Sequence, residues 1–507
     1  MRSRLGSARI PYLAWFLSLG LLVGLLGVAM RPLRLFSTER VSSPEIADRS
    51  VVVHLFEWTW NDIAQECESF LGPQGFEAVQ ISPPQEHIVV SESGFPWWQR
   101  YQPVSYQLVS RSGDRAQLQD MIRRCHQVGV VVYADAVINH MAAVESGIGV
   151  AGTAFRKYDY PGLFTSEDFN DCRQVITDYN DAEQVTQCEL VGLPDLNTAS
   201  PRVQKKLADY LADLTGLGIA GFRIDAAKHI RNEDLDTILQ QVRDRVEPAP
   251  YIYQEVIDPG TEAIRKQDYY ALGDVVEFEY GRRVGEAFLN AGDRTLADLQ
   301  TLGAMEDLTP SDQAVIFIDN HDKQRGHGGG GTYLTYKDEP LHTLAMVFML
   351  AYPYGKPRIM SSYAFTDSEQ GPPAANDGRT RTVYAPDDLG CGKAWVCEHR
   401  QPAVAAMARF RNATQGVPEV TDWWSNGRNQ IAFGRGDRGF VIINREEIPL
   451  SQTFQTQLPP GDYCEAIQTP LGASSCAQVI TIDEQGQFQA TIGPMAALAL
   501  HQSDRMP

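Results

Sequence analysis

Short apolar runs alternate with amphipathic stretches along most of the chain, from Val51 to about Thr414. Such apolar runs are typical of buried parallel strands, and the stretches between them space their apolar residues as on one helix face. The predicted strands are 51–55, 78–81, 130–137, 219–224, 252–256, 275–278, 315–318 and 358–361. The predicted helices between them include 61–71, 115–128, 201–217, 232–246 and 341–350. Eight strands in β-then-α order predict an α/β fold, a (β/α)8 TIM barrel, which we assign to residues 50–139 and 197–413.

Two parts of the chain depart from this alternation. Roughly 60 residues separate Asn139 from the helix predicted at 201, which is too long for a bare connection in a compact barrel. We therefore expect residues 140–196, after the third strand, to form a small inserted domain. After 414 the pattern becomes alternating β runs at 430–433, 439–443, 478–482 and 487–492. These runs predict a separate C-terminal all-β sandwich domain at 414–507.

Residues 1–49 are expected to form a signal or anchor segment followed by a polar tether. Residues 1–9 carry three arginines, and 10–30 is an uninterrupted run without charge. Gly27 and Ala29 offer a small-residue cleavage site, which favours secretion or periplasmic release. The run is also long enough to span a bilayer, and Arg31 and Arg34 follow it directly, so an uncleaved anchor with the rest of the chain outside the membrane is the alternative.

Composition narrows the class of partner and the redox compartment. A chain of 507 residues with a formal charge of -20 is unsuited to nucleic acid or an anionic membrane surface, whereas a neutral substrate raises no conflict. Eight cysteines in an exported chain should be paired. Cys391 with Cys397 and Cys464 with Cys476 are close enough to form local loops, but the sequence alone leaves the connectivity open. The absence of a CxxC motif argues against a zinc or redox site.

Three of the predicted strands end in carboxylates. The segment from Gly218 to His229 places Asp225 at the end of one strand, Glu255 ends the next, and Asp322 ends a third. Active sites of (β/α)8 barrels lie at the C-terminal ends of the strands, and two carboxylates flanking one bond are the minimum for glycoside hydrolysis. The alternative for each acid is that it caps a helix or pairs with a local arginine.

Six motifs, two of which contain Asp225 and Asp322, stand in a recognisable order. They are His54-Leu-Phe-Glu-Trp, Trp97-Trp-Gln-Arg-Tyr, Asp135-Ala-Val-Ile-Asn-His, Gly221-Phe-Arg-Ile-Asp-Ala-Ala-Lys-His, Asn320-His-Asp and Arg358-Ile-Met-Ser-Ser-Tyr. From about Val51 to His501, the chain resembles the α-amylases of the retaining (β/α)8 glycoside hydrolase clan, and specifically their animal-type, chloride-dependent branch. The resemblance implies that Asp225 is the nucleophile, Glu255 the general acid/base that holds a proton near neutral pH, and Asp322 a third acid that binds sugar hydroxyls.

The resemblance also implies residues that bind substrate. His140 and His321 would hydrogen-bond the sugar at the cleavage point, and Tyr101 would stack against it. Trp97 and Trp98 would form walls of the cleft, since sugars present flat apolar faces to aromatic rings, and His327 would lie on a glycine-rich loop that closes over the substrate. Lys228 and His229 complete this set. Trp58 and Trp60 are expected in the core instead.

Calcium, chloride and four disulfides are implied by the same resemblance. Asn139, Thr186, Asp195 and His229 match the calcium ligands, with Thr186 and His229 contributing backbone carbonyls, and Thr186 stands where the family usually has a basic residue.

Arg223, Asn320 and Arg358 match the halide-binding positions. Two guanidiniums near Glu255 would favour its ionised form, in which it cannot donate a proton. An anion bound between the guanidiniums would offset this effect. The alternative is that Arg358 pairs with a carboxylate. The matching disulfides are Cys67–Cys125, Cys172–Cys188, Cys391–Cys397 and Cys464–Cys476.

The sequence thus predicts an exported, monomeric, endo-acting α-amylase that cleaves internal α-1,4-glucosidic bonds of starch or glycogen with retention, with structural calcium and activating chloride. One alternative is a transglycosylase or exo-glucosidase of the same clan. The other is a non-catalytic carbohydrate-binding protein built on the same barrel, against which the presence of all three acids argues. Lys323 and Pro357 depart from the family pattern beside the site.

Overall fold

The computed structural model describes residues 50–506 apart from positions 305, 306, 329, 330, 387, 389, 470–472 and 474. Eight parallel strands close into a barrel in which each strand pairs with its neighbours in sequence and the last pairs with the first. The predicted (β/α)8 fold is therefore confirmed. The strands are β1 (Val52–Leu55), β2 (Ala78–Ile81), β3 (Val131–Ala136), β4 (Gly221–Ile224), β5 (Tyr251–Gln254), β6 (Asp274–Val276), β7 (Ala314–Ile316) and β8 (Lys356–Ser361).

Along the described residues, α-helices follow every barrel strand except β5, and two of them follow β3, the first of these being short. They are α1 (Trp60–Glu66, continued by a π-helical turn at Cys67–Leu71 and a short helix at Gly72–Gln74), α2 (Arg115–Gln127), α3 (Ala182–Gln187), α4 (Pro201–Gly216), α5 (Asn232–Arg243), α6 (Phe278–Leu289), α7 (Leu341–Ala351) and α8 (Pro402–Ala413). Trp58 and Trp60 are buried in the core, as predicted.

The end of β6 differs from the prediction. The sequence suggested a strand through residue 278, whereas β6 ends at Val276 and α6 begins at Phe278. Glu277 lies between them, and its carboxylate accepts a hydrogen bond from the backbone N–H of Glu279, 2.9 Å away. This side chain caps the helix, because it satisfies one of the N–H groups that the first turn leaves without a partner.

Strand register places polar residues of neighbouring strands side by side. Arg223 on β4 pairs with Asp135 on β3 and with Tyr253 on β5. Next to β3, His54 on β1 pairs with Gln80 on β2. These side chains are buried, so the barrel has a polar centre below its C-terminal ends, and charge there requires partners.

The segment between β3 and α4 contains little regular structure. A two-stranded sheet at Ser146–Ile148 and Ala154–Arg156 and the short helix α3 are its main elements, and Cys172–Cys188 closes it. A second small sheet, Glu86–His87 with Pro103–Ser105, follows β2. Both segments follow barrel strands on the face where the candidate site lies.

The C-terminal region is all-β, as predicted. Its strands are β9 (Thr421–Ser425), β10 (Gln430–Arg435), β11 (Gly439–Asn444), β12 (Leu450–Gln455), β13 (Gly461–Cys464), β14 (Val479–Ile482), β15 (Gln487–Ile492) and β16 (Ala496–His501). β9, β10, β11 and β16 form one sheet, while β12 pairs with β15 and β13 with β14. Alternate residues of β10 face opposite ways: Phe433 joins the barrel core, and Ala432 joins a second core with Phe454 and Phe488. The four-stranded sheet thus packs against the barrel on one face and against the other strands on its other face.

All four predicted disulfides are formed: Cys67–Cys125, Cys172–Cys188, Cys391–Cys397 and Cys464–Cys476. The predicted signal or anchor segment and tether at 1–49 lie outside the described residues. Within the described part of the chain, no helix has both the length and the apolar character needed to cross a bilayer.

A buried histidine behind the site should make the stability of the fold depend on pH. Nε2 of His342 lies 3.3 Å from Asp319 Oδ1, and its Nδ1 lies 3.6 Å from Glu339 Oε1. Burial alone would lower the pKa of His342, but these carboxylates outweigh it and raise the pKa to about 10. In the unfolded chain the pKa returns to about 6.5. The stabilisation is therefore complete below about pH 6.5 and is lost as the pH rises toward 10.

We expect the free energy of unfolding to fall by the order of a few kcal/mol between pH 6.5 and 10, and this fall to shrink in His342→Gln. Urea unfolding at pH 6 and pH 9.5 measures it. His126→Gln is the control, because burial lowers the pKa of His126 and this side chain cannot cause a loss of that sign. An undiminished alkaline loss in His342→Gln would contradict the assignment.

Candidate active site

A cleft of about 490 Å³ lies over the C-terminal ends of the barrel strands. It brings together the three predicted acids, Asp225, Glu255 and Asp322. Its other lining residues are Trp97, Trp98, Tyr101, His140, Tyr179, Leu190, Val191, Leu193, Ala226, Lys228, His229, Ile257, Glu262, His321, His327 and Gly328. All eight predicted substrate-binding residues are therefore in one cleft with the acids.

A single buried guanidinium connects two of these acids, Asp225 and Glu255, at the base of the cleft. Nη1 of Arg223 donates to Asp135 Oδ1 at 2.6 Å and to Asp225 Oδ1 at 2.8 Å, and its Nη2 donates to Glu255 Oε1. The other oxygen of Glu255 accepts a hydrogen bond from the backbone N–H of Ala226 at 3.0 Å. Both oxygens of Glu255 thus accept hydrogen bonds.

Two aspartates of the cleft, Asp225 and Asp322, have raised pKa values. Burial raises the pKa of Asp225 well above the usual value, with Glu255 and Asp135 adding to the rise and Arg223 opposing it. Burial and the charge of Glu255 raise the pKa of Asp322 to about 7. Burial and neighbouring negative charge thus raise the pKa of both aspartates. The predicted roles require an ionised Asp225 and a protonated Glu255.

The two predicted sugar-binding histidines are neutral. Burial lowers the pKa of His140 to about 4, and burial together with Arg223 lowers the pKa of His321 well below its usual range. Nε2 of His140 lies 2.9 Å from the backbone oxygen of Tyr101. Because each ring has a buried Nδ1 without a protein partner, each retains a polar atom for a further hydrogen bond.

Tyr101 is held on two sides. Its hydroxyl donates to Asp135 Oδ2 at 3.0 Å, and its ring stacks against that of His321, with centroids 5.1 Å apart and planes within 9°. One face of the ring is therefore occupied by His321, and a sugar can stack only on what remains. This contact joins the segment after β2 to the segment after β7.

The other predicted substrate-binding residues border the cleft. Trp97 is nearly buried, whereas Trp98 is partly exposed. His327 approaches Trp97, with ring centroids 5.9 Å apart. On another side, Lys228 donates to the backbone oxygen of Ile257 at 2.6 Å and to Glu262. The predicted closure of the His327 loop stays a prediction, since positions 329 and 330 are outside the described residues.

The three predicted halide-binding residues are all buried. Arg358 donates to Gln80 Oε1 at 2.8 Å, and in the part of the chain that the structure describes no carboxylate oxygen lies within 4.0 Å of its guanidinium. The alternative that Arg358 simply pairs with a carboxylate is therefore not what the structure contains. Burial, with a contribution from nearby Arg223, lowers the pKa of Arg358. Asn320 Oδ1 accepts the backbone N–H of Lys323 at 2.8 Å, so its Nδ2 is the donor that an anion would bind.

The predicted calcium residues meet where the inserted segment contacts the barrel. Asn139 and Asp195 are buried, and an isolated bridge pairs Asp195 with His140. Nδ1 of His229 lies 2.9 Å from the backbone oxygen of Val185, the neighbour of Thr186. Among the described residues, no three His, Cys, Asp or Glu side chains could hold a metal ion together. The predicted set does not require such a cluster, because calcium accepts amide and backbone oxygens.

Two details of this region fit a cation. Oδ2 of Asp195 accepts a hydrogen bond from Asn170 at 2.7 Å, while its Oδ1 is buried and has no hydrogen-bond partner among the residues that the structure describes. A buried acceptor without a donor is costly unless a cation or water satisfies it. Thr186 lies in the last turn of α3, where carbonyl groups have no partner inside the helix.

Several residues of the site were not assigned from the sequence. Asp135 and Gln80 hold the two arginines, and both face the barrel interior from strands that the sequence did predict. Both ring nitrogens of His54, which is fully buried, lack hydrogen-bond partners. Leu190 and Val191 line the cleft from the inserted segment, and the unusual exposure of Val191, at 75%, is a signal that only the structure provides.

Comparison with known proteins agrees with this geometry. The α-amylase catalytic domain matches residues 75–280, and the α-amylase C-terminal all-β domain matches 423–503. An α-amylase of Tribolium castaneum is 47% identical over 461 residues, covering 88% of this chain and 92% of that protein. This chain belongs to the α-amylase family. An α-amylase-related protein of Drosophila simulans is 45% identical over 470 residues, covering 90% of this chain and 94% of that protein.

Solved structures of the α-amylase family extend the comparison to the whole fold. The crystal structure of a variant of α-amylase I from Eisenia fetida in complex with maltohexaose is 38% identical, with a TM-score of 0.84. The match covers 90% of this chain and 97% of that one. The barrel and the C-terminal all-β domain are therefore those of an animal-type α-amylase. The catalytic-domain match at 75–280 contains Asp225 and Glu255 but ends before Asp322.

Proposed function

We propose that this α-amylase family member hydrolyses internal α-1,4-glucosidic bonds of starch, glycogen and related glucans with retention of configuration. The observation that carries the proposal is that Asp225, Glu255 and Asp322 line one cleft, with Arg223 joining two of them. Two carboxyl groups on one bond suffice for double displacement. The cleft is open to solvent and its aromatic walls suit the apolar faces of sugar rings.

In the first step a carboxylate oxygen of Asp225 bonds to the anomeric carbon while the bond to the leaving sugar breaks. Glu255 gives its proton to the leaving oxygen, so that a neutral hydroxyl departs. In the second step Glu255, now a carboxylate, takes a proton from water, and the water oxygen displaces Asp225 from the anomeric carbon. Asp322 and the neutral imidazoles of His140 and His321 bind the hydroxyls of the same sugar and orient it.

Reducing-end release from soluble starch, combined with product sizes over time, tests the function. An endo-acting hydrolase shortens long chains early and yields a spread of oligosaccharides. Release of glucose alone from the start would indicate the exo-acting alternative, and products longer than the substrate would indicate a transglycosylase. No reducing-end release despite glucan binding would indicate the non-catalytic alternative.

Chloride is proposed as the activator, held by Arg223, Asn320 and Arg358. The support is that two buried guanidiniums stand near the acids and that Arg358, which donates to the neutral Gln80, has no carboxylate oxygen within 4.0 Å among the described residues. Chloride bound there would supply negative charge that favours a proton on Glu255.

Calcium is proposed to stabilise the inserted domain at 140–196 against the barrel. Asn139 and Asp195 would supply side-chain oxygens, and Thr186 and His229 backbone carbonyls, all of them ligands suited to a hard cation. The support is the buried, unpartnered Oδ1 of Asp195.

Removal of calcium should therefore lower the Tm. At a calcium concentration of about 100 times the Kd, the bound ion stabilises the fold by about 2.7 kcal/mol. Calorimetry in excess calcium and in a chelator measures the difference, which should shrink in Asp195→Asn and persist in the surface control Asp209→Asn. Equal Tm values of the unsubstituted protein in calcium and chelator would contradict the site.

We further propose that the chain acts as a monomer outside the cytoplasm on a neutral α-glucan. Its four disulfides suit an oxidising compartment. Its formal charge of -20 raises no conflict with an uncharged substrate. Secretion or periplasmic release follows if the segment at 1–30 is cleaved, and attachment to a membrane follows if it is retained.

A further inference from the structure

The turn after β8 hydrogen-bonds both tryptophans on one side of the cleft. Nε1 of Trp97 donates to the backbone oxygen of Ser368 at 2.9 Å, and Nε1 of Trp98 donates to Glu369 Oε2 at 2.5 Å. These contacts join positions 271 residues apart in sequence. They fix the indole rings that border the cleft, because an indole has one N–H and each is engaged.

The same carboxylate also approaches the histidine of the neighbouring loop. Oε1 of Glu369 lies 3.6 Å from His327 Nε2, and both side chains are about half exposed, at 53% and 46%. An exposed pair of this kind contributes little to the stability of a fold. Glu369 therefore has two partners on the cleft, Trp98 and His327, and no large structural role that would account for them.

We infer that Glu369 determines specificity for the glucan at this side of the cleft. It holds the Trp98 ring and the His327 imidazole about one sugar-binding position, and its carboxylate accepts hydrogen bonds from the hydroxyls of the glucose unit that packs on Trp98. This inference rests on the proposed function. The unit concerned is one that is bound and not cleaved, since the acids that act on the bond lie at the base of the cleft.

The chemistry suits a neutral sugar. A glucose ring offers an apolar face to an indole and hydroxyl donors at its edge, and a carboxylate can accept two such donors at once. Hydrogen bonds to a charged acceptor are the stronger kind. Glu369 thus accepts hydrogen bonds from the hydroxyls at the edge of the sugar, while the Trp98 ring packs against the apolar face of the sugar.

The backbone of the turn is fixed independently of the Glu369 side chain. The backbone N–H of Glu369 donates to Asp367 Oδ1 at 2.9 Å, and the Tyr363 hydroxyl donates to the backbone oxygen of Gln370 at 2.7 Å. At Gly371 a Cβ atom would lie only 1.9 Å from the backbone oxygen of Phe95, so close packing holds the end of the turn. Substitution of Glu369 should therefore leave the turn in place.

The test compares Glu369→Ala and Glu369→Gln with the unsubstituted protein on maltotetraose to maltoheptaose and on soluble starch. In Glu369→Ala we expect kcat/KM for the short oligosaccharides to fall about tenfold, because one charge-assisted hydrogen bond is lost. The sizes of the products from these oligosaccharides should also change. On starch, which binds through many units, kcat should be nearly unchanged. Glu369→Gln can still accept the Trp98 N–H but carries no charge, so its loss should be smaller.

Asp377→Asn is the matched control, because Asp377 is a similarly exposed carboxylate of the same connection, paired with Arg379. It should change neither product sizes nor kcat/KM. Unchanged product sizes and kcat/KM in both Glu369 variants would overturn the inference, as would an equal loss on every substrate accompanied by a lower Tm. Failure of the proposed function is distinguishable, because the unsubstituted protein would then release no reducing ends from starch.

Discussion

Glu255→Gln is expected to lower kcat for α-glucan hydrolysis by about a thousandfold while glucan binding persists. The amide keeps the shape of the side chain, and its single oxygen can still accept one of the two hydrogen bonds that Arg223 and the Ala226 N–H give to Glu255. It has no proton of suitable acidity to give to the leaving oxygen. Steady-state kinetics on soluble starch, with binding of maltohexaose followed by calorimetry, measures both effects.

Two comparisons separate this loss from damage to the fold. With an α-maltosyl fluoride, whose leaving group departs without protonation, the first step should be much less impaired in Glu255→Gln, whereas Asp225→Asn should remain inactive on it. Glu398→Gln is the matched control: burial and the charge of Asp319 raise the pKa of Glu398 to about 7, so an amide resembles its protonated form. Nearly normal kcat in Glu255→Gln would contradict the assigned role.

Removal of chloride is expected to lower activity at neutral pH at least about tenfold, as a change of about one pH unit in the protonation of the acid would produce. The sign follows from charge: the cations of Arg223 and Arg358 favour loss of a proton from the neighbouring acids, and an anion opposes this. Without chloride the alkaline limb of the activity profile should therefore move to lower pH. Profiles of kcat/KM in chloride and in gluconate measure the shift.

Arg358→Gln should abolish the response to chloride, because it removes one of the two cations. Arg358→Lys keeps the charge but not the planar fork, so it should respond to chloride at higher concentrations. The halide-dependent shift of the Tm gives a readout apart from activity, and it should disappear in Arg358→Gln. Equal profiles of the unsubstituted protein in both salts would refute the anion site and leave the hydrolase proposal intact.

The barrel and its acids could be predicted because their signals are local. Each of Asp225, Glu255 and Asp322 lies at or just beyond the end of a mostly apolar run, and the topology of a parallel barrel brings such ends together. The strand β12 was missed because most of its residues are polar, with Leu450 and Phe454 as its buried positions. The strand β6 was predicted to run through Phe278, because Phe278 is apolar and a pattern of apolar residues cannot reveal that Glu277 caps a helix. The helix α6 in fact begins at Phe278.

The contacts that adjust the site could not be predicted, because they join residues far apart in sequence. Gln80 accepts from Arg358 across 278 positions, and Glu369 accepts from Trp98 across 271. The raised pKa values of Asp225 and Asp322 depend on burial and on the distances to neighbouring charges, neither of which the sequence contains. The residue types at the strand ends thus indicated the class of reaction. The charges and hydrogen bonds that act on each acid could be described only from the folded structure.

The anomeric configuration of the first product tests the central claim most directly. Proton NMR spectra recorded within the first minutes of maltohexaose hydrolysis distinguish the α from the β anomer before the two interconvert. Double displacement through Asp225 and Glu255 predicts that the α anomer forms first and that β follows slowly by mutarotation. Initial formation of the β anomer would contradict the mechanism.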